Sequence, residues 1–437
     1  MTDLVVHGGT VVTSTSLGLA DIAVTEGRIS AVGANLDLDA GQEIDASGLH
    51  VFPGGIDSHV HFNEPGRTEW ETIANGSAAL AAGGYTTFID MPLNNLPVTI
   101  DGAALDLKLK AAERSSLIDF GFWGGLVSGN LARLAELHAR GALGFKAFMC
   151  PSGIDEFPAC DEGTLREGMK QIAELDSILL VHAEAPERLH APSGTSWMDF
   201  VLSRPPEAEW TAISQAVGIA VETGCRLHVV HVSTPHGFEM IRKAQADGAD
   251  VSGETCPHYL LYADSDLERL GGIGKCAPPL RSVEFRDGLW RKLVEGQVPM
   301  VVSDHSPSTL DLKHGNDFSA IWGGISGCQT TRQLLLAREE LDLQLIAGLT
   351  SINVARRFRL KGKGDITAGF DADLWIVDLG HKDVVRREDL LYRNPFSAHE
   401  GQPIRGRTVR TLVRGKTVFA SGQAQPGSAG RLTSLTI

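Results

Sequence analysis

The sequence predicts an α/β protein: a (β/α)8 barrel of the TIM type, carrying a small β-sandwich-like domain built from both chain ends. Three observations point there. Eight short apolar runs alternate with helix-like stretches between Pro53 and about Leu360, the pattern of βα units around a parallel sheet. No G-x-G-x-x-G follows a strand-like run, which removes the usual reason to prefer an open doubly wound sheet. Strand-like runs fill the first fifty positions, and their style returns only near the far end.

The barrel runs in chain order are HVFPGGIDSHVHF, YTTFIDMP, LIDFGFWGGL, GALGFKAF, SILLVHAE, CRLHVVHVS, DVSGETC and VPMVVSDHSP. Amphipathic segments such as LREGMKQIAEL separate several of them. The β domain draws on DLVVHGGTVV, DIAVTEGRISAVG and EIDASGLHVF at one end, and ADLWIVDL and TVRTLVRGKTVFASG at the other. Chain ends often lie close together, so these distant runs can pair. The expected organisation is 1–52 and 361–437 as the two parts of the β domain, with 53–360 as the barrel. Long Pro, Gly and Ser-rich loops start at Pro151 and Ala185, and loops after barrel strands tend to carry substrate contacts. The tail SGQAQPGSAGR from Ser421 reads as a flexible arm, and no solenoid repeat is present.

Composition excludes several classes of function. Thirty-nine basic against 54 acidic residues leave a net charge of −15, a field that repels phosphate backbones and anionic lipid, so nucleic acid is not an expected partner. The uncharged stretch from Thr72 to Ile89 is too rich in Gly, Thr, Asn and Ser to span a bilayer. The N-terminus has an acid at Asp3 and no basic segment, so cytoplasmic residence is the expectation. The six cysteines lie far apart without a C-x-x-C pair and read as reduced core residues.

The chemistry concentrates at the ends of the apolar runs. His59 and His61, two apart in IDSHVHF, fall on one face of a strand. Alone, such a pair is more often a hydrogen-bonding strand end than a chelate. It is joined by Lys146 in GFKAF, His182 in LLVHAE, His231 in HVVHVS and Asp304 in VVSDHSP. Catalytic groups of a barrel gather at the C-terminal ends of many strands at once, and these positions fit that rule. His228 precedes a strand end and reads as a supporting or structural histidine. His258 and His305 neighbour the set and either orient a ligand or serve as structural imidazoles.

Lys146, flanked by Phe145, Ala147 and Phe148, is the odd member. A buried ammonium near cations is unfavourable. One solution is a neutral amine that takes up CO2 as a carbamate able to bridge two metals; the other is a lysine snorkelling to solvent. With the carbamate, the set supplies N and O ligands for two divalent ions sharing a hydroxide for hydrolysis. Zinc fits best, with cobalt, manganese, nickel or iron as alternatives. Asp304 then serves both as ligand and as the catalytic base and acid that moves a proton from water to the leaving nitrogen.

The segments PGGIDSHVHFNEPGR, GFKAF, HAE, HVVHVST, ETCPHYL, CAPPLR, VSDHSP and GDITAGFDADLWIVDL resemble the cyclic amidohydrolases of the amidohydrolase superfamily over essentially the whole chain. The resemblance implies a TIM barrel with a terminal β domain, a binuclear centre and a carboxylated lysine at Lys146. It implies one ion held by His59, His61 and Asp304, the other by His182 and His231, the carbamate bridging them, and a homotetramer. Members that act on carboxylated rings carry H-x-H-x-R, and the arginine slot here is Asn63. Without that bidentate partner a carboxylated substrate fits poorly. An amide suits a neutral ureide such as allantoin, a hydantoin ring with a ureido arm, opened to allantoate. MPLNNLP around Asn94 and AIWGGISGCQ from Ala320 resemble the form of these segments in members that cleave that ureide. Asn63 and Asn94 also suit Asx turns. Where relatives often have Ser in K-x-S-P-P, this chain has Ala277 in KCAPPLR, a substrate-contact position that matters little if the backbone makes the contact. Cys276 beside it reads as a buried, inert thiol. Hydrolysis of hydantoins or dihydropyrimidines is the rival within this chemistry, and a non-catalytic scaffold on the same fold is the rival outside it.

Overall fold

A computed structural model describes residues 2–36, 38–427 and 429–435. Eight short parallel strands, two of them the halves of one run broken at Trp123, and a further bridged segment enclose the barrel. Gly55–Val60, Tyr85–Asp90 and Asp119–Phe122 form one arc. Gly124–Gly125, Phe145–Phe148, Ile178–His182, Arg226–Val229 and Val251–Gly253 form the other. The arcs meet at Trp123, whose ring packs on Phe358 and whose Nε1 donates to Ser58 O at 2.9 Å. Every residue from Gly55 to Val60 is buried, as expected of parallel strands covered on both faces.

The eighth run departs from expectation. VPMVVSDHSP makes no continuous strand but isolated bridges: Val301 to Thr255, and His305 to Val60 and Ile325. His61 N donates to His305 O at 2.8 Å, tying the last run to the first. The physical reason is local: the φ of Asp304 is +46°, outside the extended range that a ladder requires.

Between strands the amphipathic runs form helices. In Glu162–Glu174 the buried Leu165, Gly168, Met169 and Ile172 recur at helical spacing. The side chain of Asp161 caps it, accepting from Thr164 N at 2.7 Å. The loop from Ala185 leads into a short helix, Trp197–Ser203, started by a capping box of Ser196 and Asp199.

The terminal runs do pair. Nine strands form one sheet in which His50–Pro53 joins Leu374–Val384 antiparallel, with Phe52 opposite Trp375. Its core includes Val6, Val24, Val51, Leu374 and Leu412. Arg332, fully buried, locks sheet to barrel: its guanidinium stacks 4.2 Å over Trp375 and Nη1 donates to Gly84 O at 2.7 Å. A Cβ at Gly84 would meet Trp375 at 2.4 Å, which requires glycine at this close approach.

The tail is not a free arm. Gln423–Ala424 pairs with Lys416–Ala420. Arg431 N donates to Asp119 Oδ1 at 2.8 Å, Phe120 N to Arg431 O at 3.0 Å, and Thr433 N to Phe120 O at 2.8 Å. Its Gly and Ser content offers few side chains to pack, but Ala424 and Ala429 pack against the core and the backbone finds partners on a barrel strand. Ser428 of that run lies outside the described residues. All six cysteines are buried free thiols, and no helix among the described residues is long and apolar enough to cross a membrane.

Candidate metal centre

A cavity of about 340 Å³ opens at the C-terminal ends of the barrel strands, and His59, His61, Lys146, His182, His231 and Asp304 all line it. The six positions singled out in the sequence therefore meet in space. The Nε2 atoms of His59 and His61 lie 3.2 and 3.5 Å from Asp304 Oδ1. Across the cavity, His182 Nδ1 and His231 Nε2 stand 3.0 Å apart. Ligand atoms of His59, His231 and Asp304 all fall within 4.8 Å of one another. His231 and Asp304 take left-handed φ values of +40° and +46°, backbone states that cost about 1–3 kcal/mol each and cluster at functional sites.

The far sides of three of the four rings are held. His59 Nδ1 meets Glu254 Oε1 at 2.6 Å, His61 Nδ1 meets Leu93 O at 3.3 Å, and His182 Nε2 meets Glu184 Oε2 at 2.7 Å. These acceptors fix the proton on the outer nitrogen and turn a lone pair toward the cavity. Burial pushes His59, His182 and His231 below the ordinary histidine range, which favours their neutral form. His59 Nε2 then points a lone pair at Asp304 Oδ1, and the buried His231 Nδ1 has no partner. Lone pairs facing one another are unfavourable unless a cation lies between them. The donor set thus fits divalent metal, with neutral imidazole nitrogens and carboxylate oxygen as ligands.

Lys146 is buried, 1% exposed, with Nζ 4.4 Å above the Phe148 ring. Burial lowers its amine to about 8, against the weaker opposing pull of Asp304 and Glu254, which favours a neutral, nucleophilic amine. It does not snorkel to solvent. Phe148 also stacks on His182, ring centroids 4.6 Å apart.

The other expected residues divide. Asn94 lines the cavity beside Ser306 at φ +71°, so cavity contact and turn geometry coincide there. Ala277 and Cys276 line it together. Asn63 sits behind the wall: Nδ2 donates to Pro307 O at 3.3 Å and the buried Oδ1 has no partner. His228 bridges Ser252 Oγ at 2.7 Å and Glu254 Oε2 at 3.0 Å, behind His59. His305 packs on Tyr392 and accepts from Gly327 N. His258 is fully buried with neither ring nitrogen bonded, and burial lowers it to about 4.

Sequence reading missed Glu184, Glu254 and Arg204. The two glutamates lie in HAE and GET, at the ends of two barrel runs, so strand-end position was an available signal. Arg204 also lines the cavity. Burial alone would raise the Glu184 carboxyl, but the Arg204 guanidinium and the His182 bond outweigh it and hold it well below the carboxylate range. Glu254 has no arginine partner, and burial with the nearby Asp304 raises its carboxyl, Lys146 offsetting only part of this.

The amidohydrolase family model matches residues 50–418. A protein named allantoinase from Rubrobacter xylanophilus is 50% identical, covering 98% of this chain and 97% of its own length. One of the same name from Solibacter usitatus is 47% identical, covering 99% and 97%. Among solved structures, the L-hydantoinase (dihydropyrimidinase) of Arthrobacter aurescens superposes with a TM-score of 0.96 at 33% identity, covering 99% of this chain and all of the other.

Proposed function

This chain belongs to the amidohydrolase family, and we propose that it hydrolyses the cyclic amide bond of allantoin to give allantoate. The observation that carries the reading is the convergence of four imidazoles, Lys146 and Asp304 on one cavity, in a chain half identical to a protein named allantoinase. His59, His61 and Asp304 would hold one divalent ion and His182 with His231 a second, zinc being the best match to the ligand types. A carbamate on Lys146 would supply oxygen ligands to both. When bound, such ions polarise a carbonyl and make water acidic enough to serve as a nucleophile at neutral pH.

The chain's own residues perform the proton transfers. Asp304, at the cavity floor with its side chain 13% exposed, accepts a proton from the water that attacks the ring carbonyl carbon. A tetrahedral carbon results. Asp304 returns the proton to the ring nitrogen as the C–N bond breaks, so the nitrogen leaves as a neutral amide. Glu254 and Glu184 keep His59 and His182 in the tautomers that face inward. Asn94 offers an amide able both to donate to and accept from a neutral ureide.

The likeness to the Arthrobacter hydantoinase favours one rival, a preference for simpler hydantoins or dihydropyrimidines. A homotetrameric assembly and residence in the cytoplasm belong to the same proposal. Assays of allantoin, hydantoin and dihydrouracil side by side, with metal analysis and light scattering on the same sample, test it. The proposal expects allantoin to give the highest kcat/KM with divalent metal bound, and a higher value for hydantoin or dihydrouracil transfers the assignment to the rival. A chain that binds no divalent metal and turns over none of the three is a scaffold.

A further inference from the structure

The cavity wall carries an arginine although the arginine slot of H-x-H-x-R is Asn63. Arg204, in the turn between the helices Trp197–Ser203 and Pro206–Thr223, lines the cavity with its side chain 19% exposed. An open guanidinium would favour an anionic ring, as the arginine of H-x-H-x-R does. Here the fork is occupied. Nε donates to Glu184 Oε1 at 3.1 Å and Nη2 to Glu184 Oε2. Glu184, 0% exposed, passes the link to His182, whose Nε2 meets the same Oε2 at 2.7 Å. The Arg204 backbone is itself anchored, its carbonyl accepting from Arg281 Nη1 at 2.5 Å.

We propose that Glu184 and Arg204 act as one specificity and positioning pair: the carboxylate cancels the cavity's guanidinium, so the site rejects carboxylated rings, and the guanidinium holds the carboxylate that orients His182. The inference rests on the cyclic-ureide hydrolase reading and deepens it. The pair removes from the cavity wall the free guanidinium that an anionic ring would need, and the second basic side chain there, Lys275, is turned to Ser319 O at 2.8 Å and Ile321 O at 2.5 Å. Arg204 is a positioning residue for His182, since it reaches that ring only through Glu184. The pairing is two-sided: losing the carboxylate frees a donor fork for an anion, whereas losing the guanidinium leaves a buried carboxylate without its cation.

The test uses the full-length holoenzyme with Glu184→Gln, Arg204→Gln and Arg204→Lys. Two readouts are taken: bound zinc per chain after dialysis, and inhibition of neutral-ureide turnover by dihydroorotate, a cyclic ureide with a carboxylate. In Glu184→Gln the inhibition constant for dihydroorotate falls about tenfold or more, the worth of one charge-assisted bidentate contact, while Gln still accepts from His182. In Arg204→Gln that gain is absent and zinc retention falls. Arg204→Lys restores part of the zinc but not a bidentate fork. Circular dichroism establishes that each variant is folded, and the lysine variant keeps the test decisive if Arg204→Gln fails to fold. Unchanged dihydroorotate inhibition in Glu184→Gln, or zinc retention equal to wild type in both Arg204 variants, overturns the proposal. If the wild-type chain opens no cyclic ureide, the functional reading fails instead, and zinc retention together with direct dihydroorotate binding still decides the role of the pair.

Discussion

Glu254 Oε1 lies 2.6 Å from His59 Nδ1, and the same carboxylate reaches His228 Nε2 through its other oxygen at 3.0 Å. The contact fixes which nitrogen of His59 faces the cavity. Supporting acceptors of this kind typically contribute 10- to 100-fold in metal affinity. Glu254→Ala is therefore expected to weaken zinc binding by about that factor, measured by competition with a chromogenic chelator. Affinity equal to wild type would remove Glu254 from this role.

Asp304 faces both His59 and His61 from a left-handed backbone state. Asp304→Asn keeps the size of the side chain and removes its basicity. Turnover is expected to fall by at least about 100-fold, the usual contribution of general acid–base catalysis, with the far-UV circular dichroism spectrum unchanged. A wild-type rate in a folded Asp304→Asn chain would exclude the proton transfers assigned to it.

Lys363 gathers three carboxylates at the junction of barrel and sheet: Asp119 at 2.5 Å, Asp373 at 2.7 Å and Asp371 at 3.0 Å. Asp119 also pairs with Arg414 and accepts from Arg431 N. Lys363→Met leaves the buried Asp373 without its cation, which costs about 3–5 kcal/mol. Urea unfolding measures it, and a loss below about 1 kcal/mol would contradict the assignment.

Lys313, buried, donates to Trp322 O at 3.1 Å and Gly324 O at 2.5 Å, and burial lowers its amine to about 7. In the unfolded chain the amine titrates near the usual 10.5. Between these values the unfolded state holds a proton that the native state lacks, so this group makes stability rise with pH across that window. Lys313→Met removes the effect. The advantage of wild type over the variant in urea midpoint is expected to be larger at pH 9 than at pH 7, and a difference independent of pH would refute it.

Much of this architecture was legible in the sequence. Strands buried on both faces read as uninterrupted apolar runs, and polar residues at their ends stand out against them, which is how His59, His61, Lys146, His182, His231 and Asp304, six residues that line one cavity, were singled out. The pairing of the chain ends followed from like strand patterns, as Phe52 opposite Trp375 illustrates. Arg204 was not legible, because a turn between two helices carries it to a carboxylate twenty positions earlier, and no periodicity marks that. The tail misled for a related reason: its hydrogen bonds to Asp119 and Phe120 are made largely by backbone groups, which composition does not reveal. Asn63 was read as facing the substrate, whereas its amide turns behind the wall to Pro307.

Proton NMR of allantoin incubated with the zinc-loaded chain tests the central claim most directly. The account predicts conversion to allantoate by the wild type and at most a trace by Asp304→Asn at equal zinc content. Allantoin left intact by a chain carrying its full complement of zinc would contradict it.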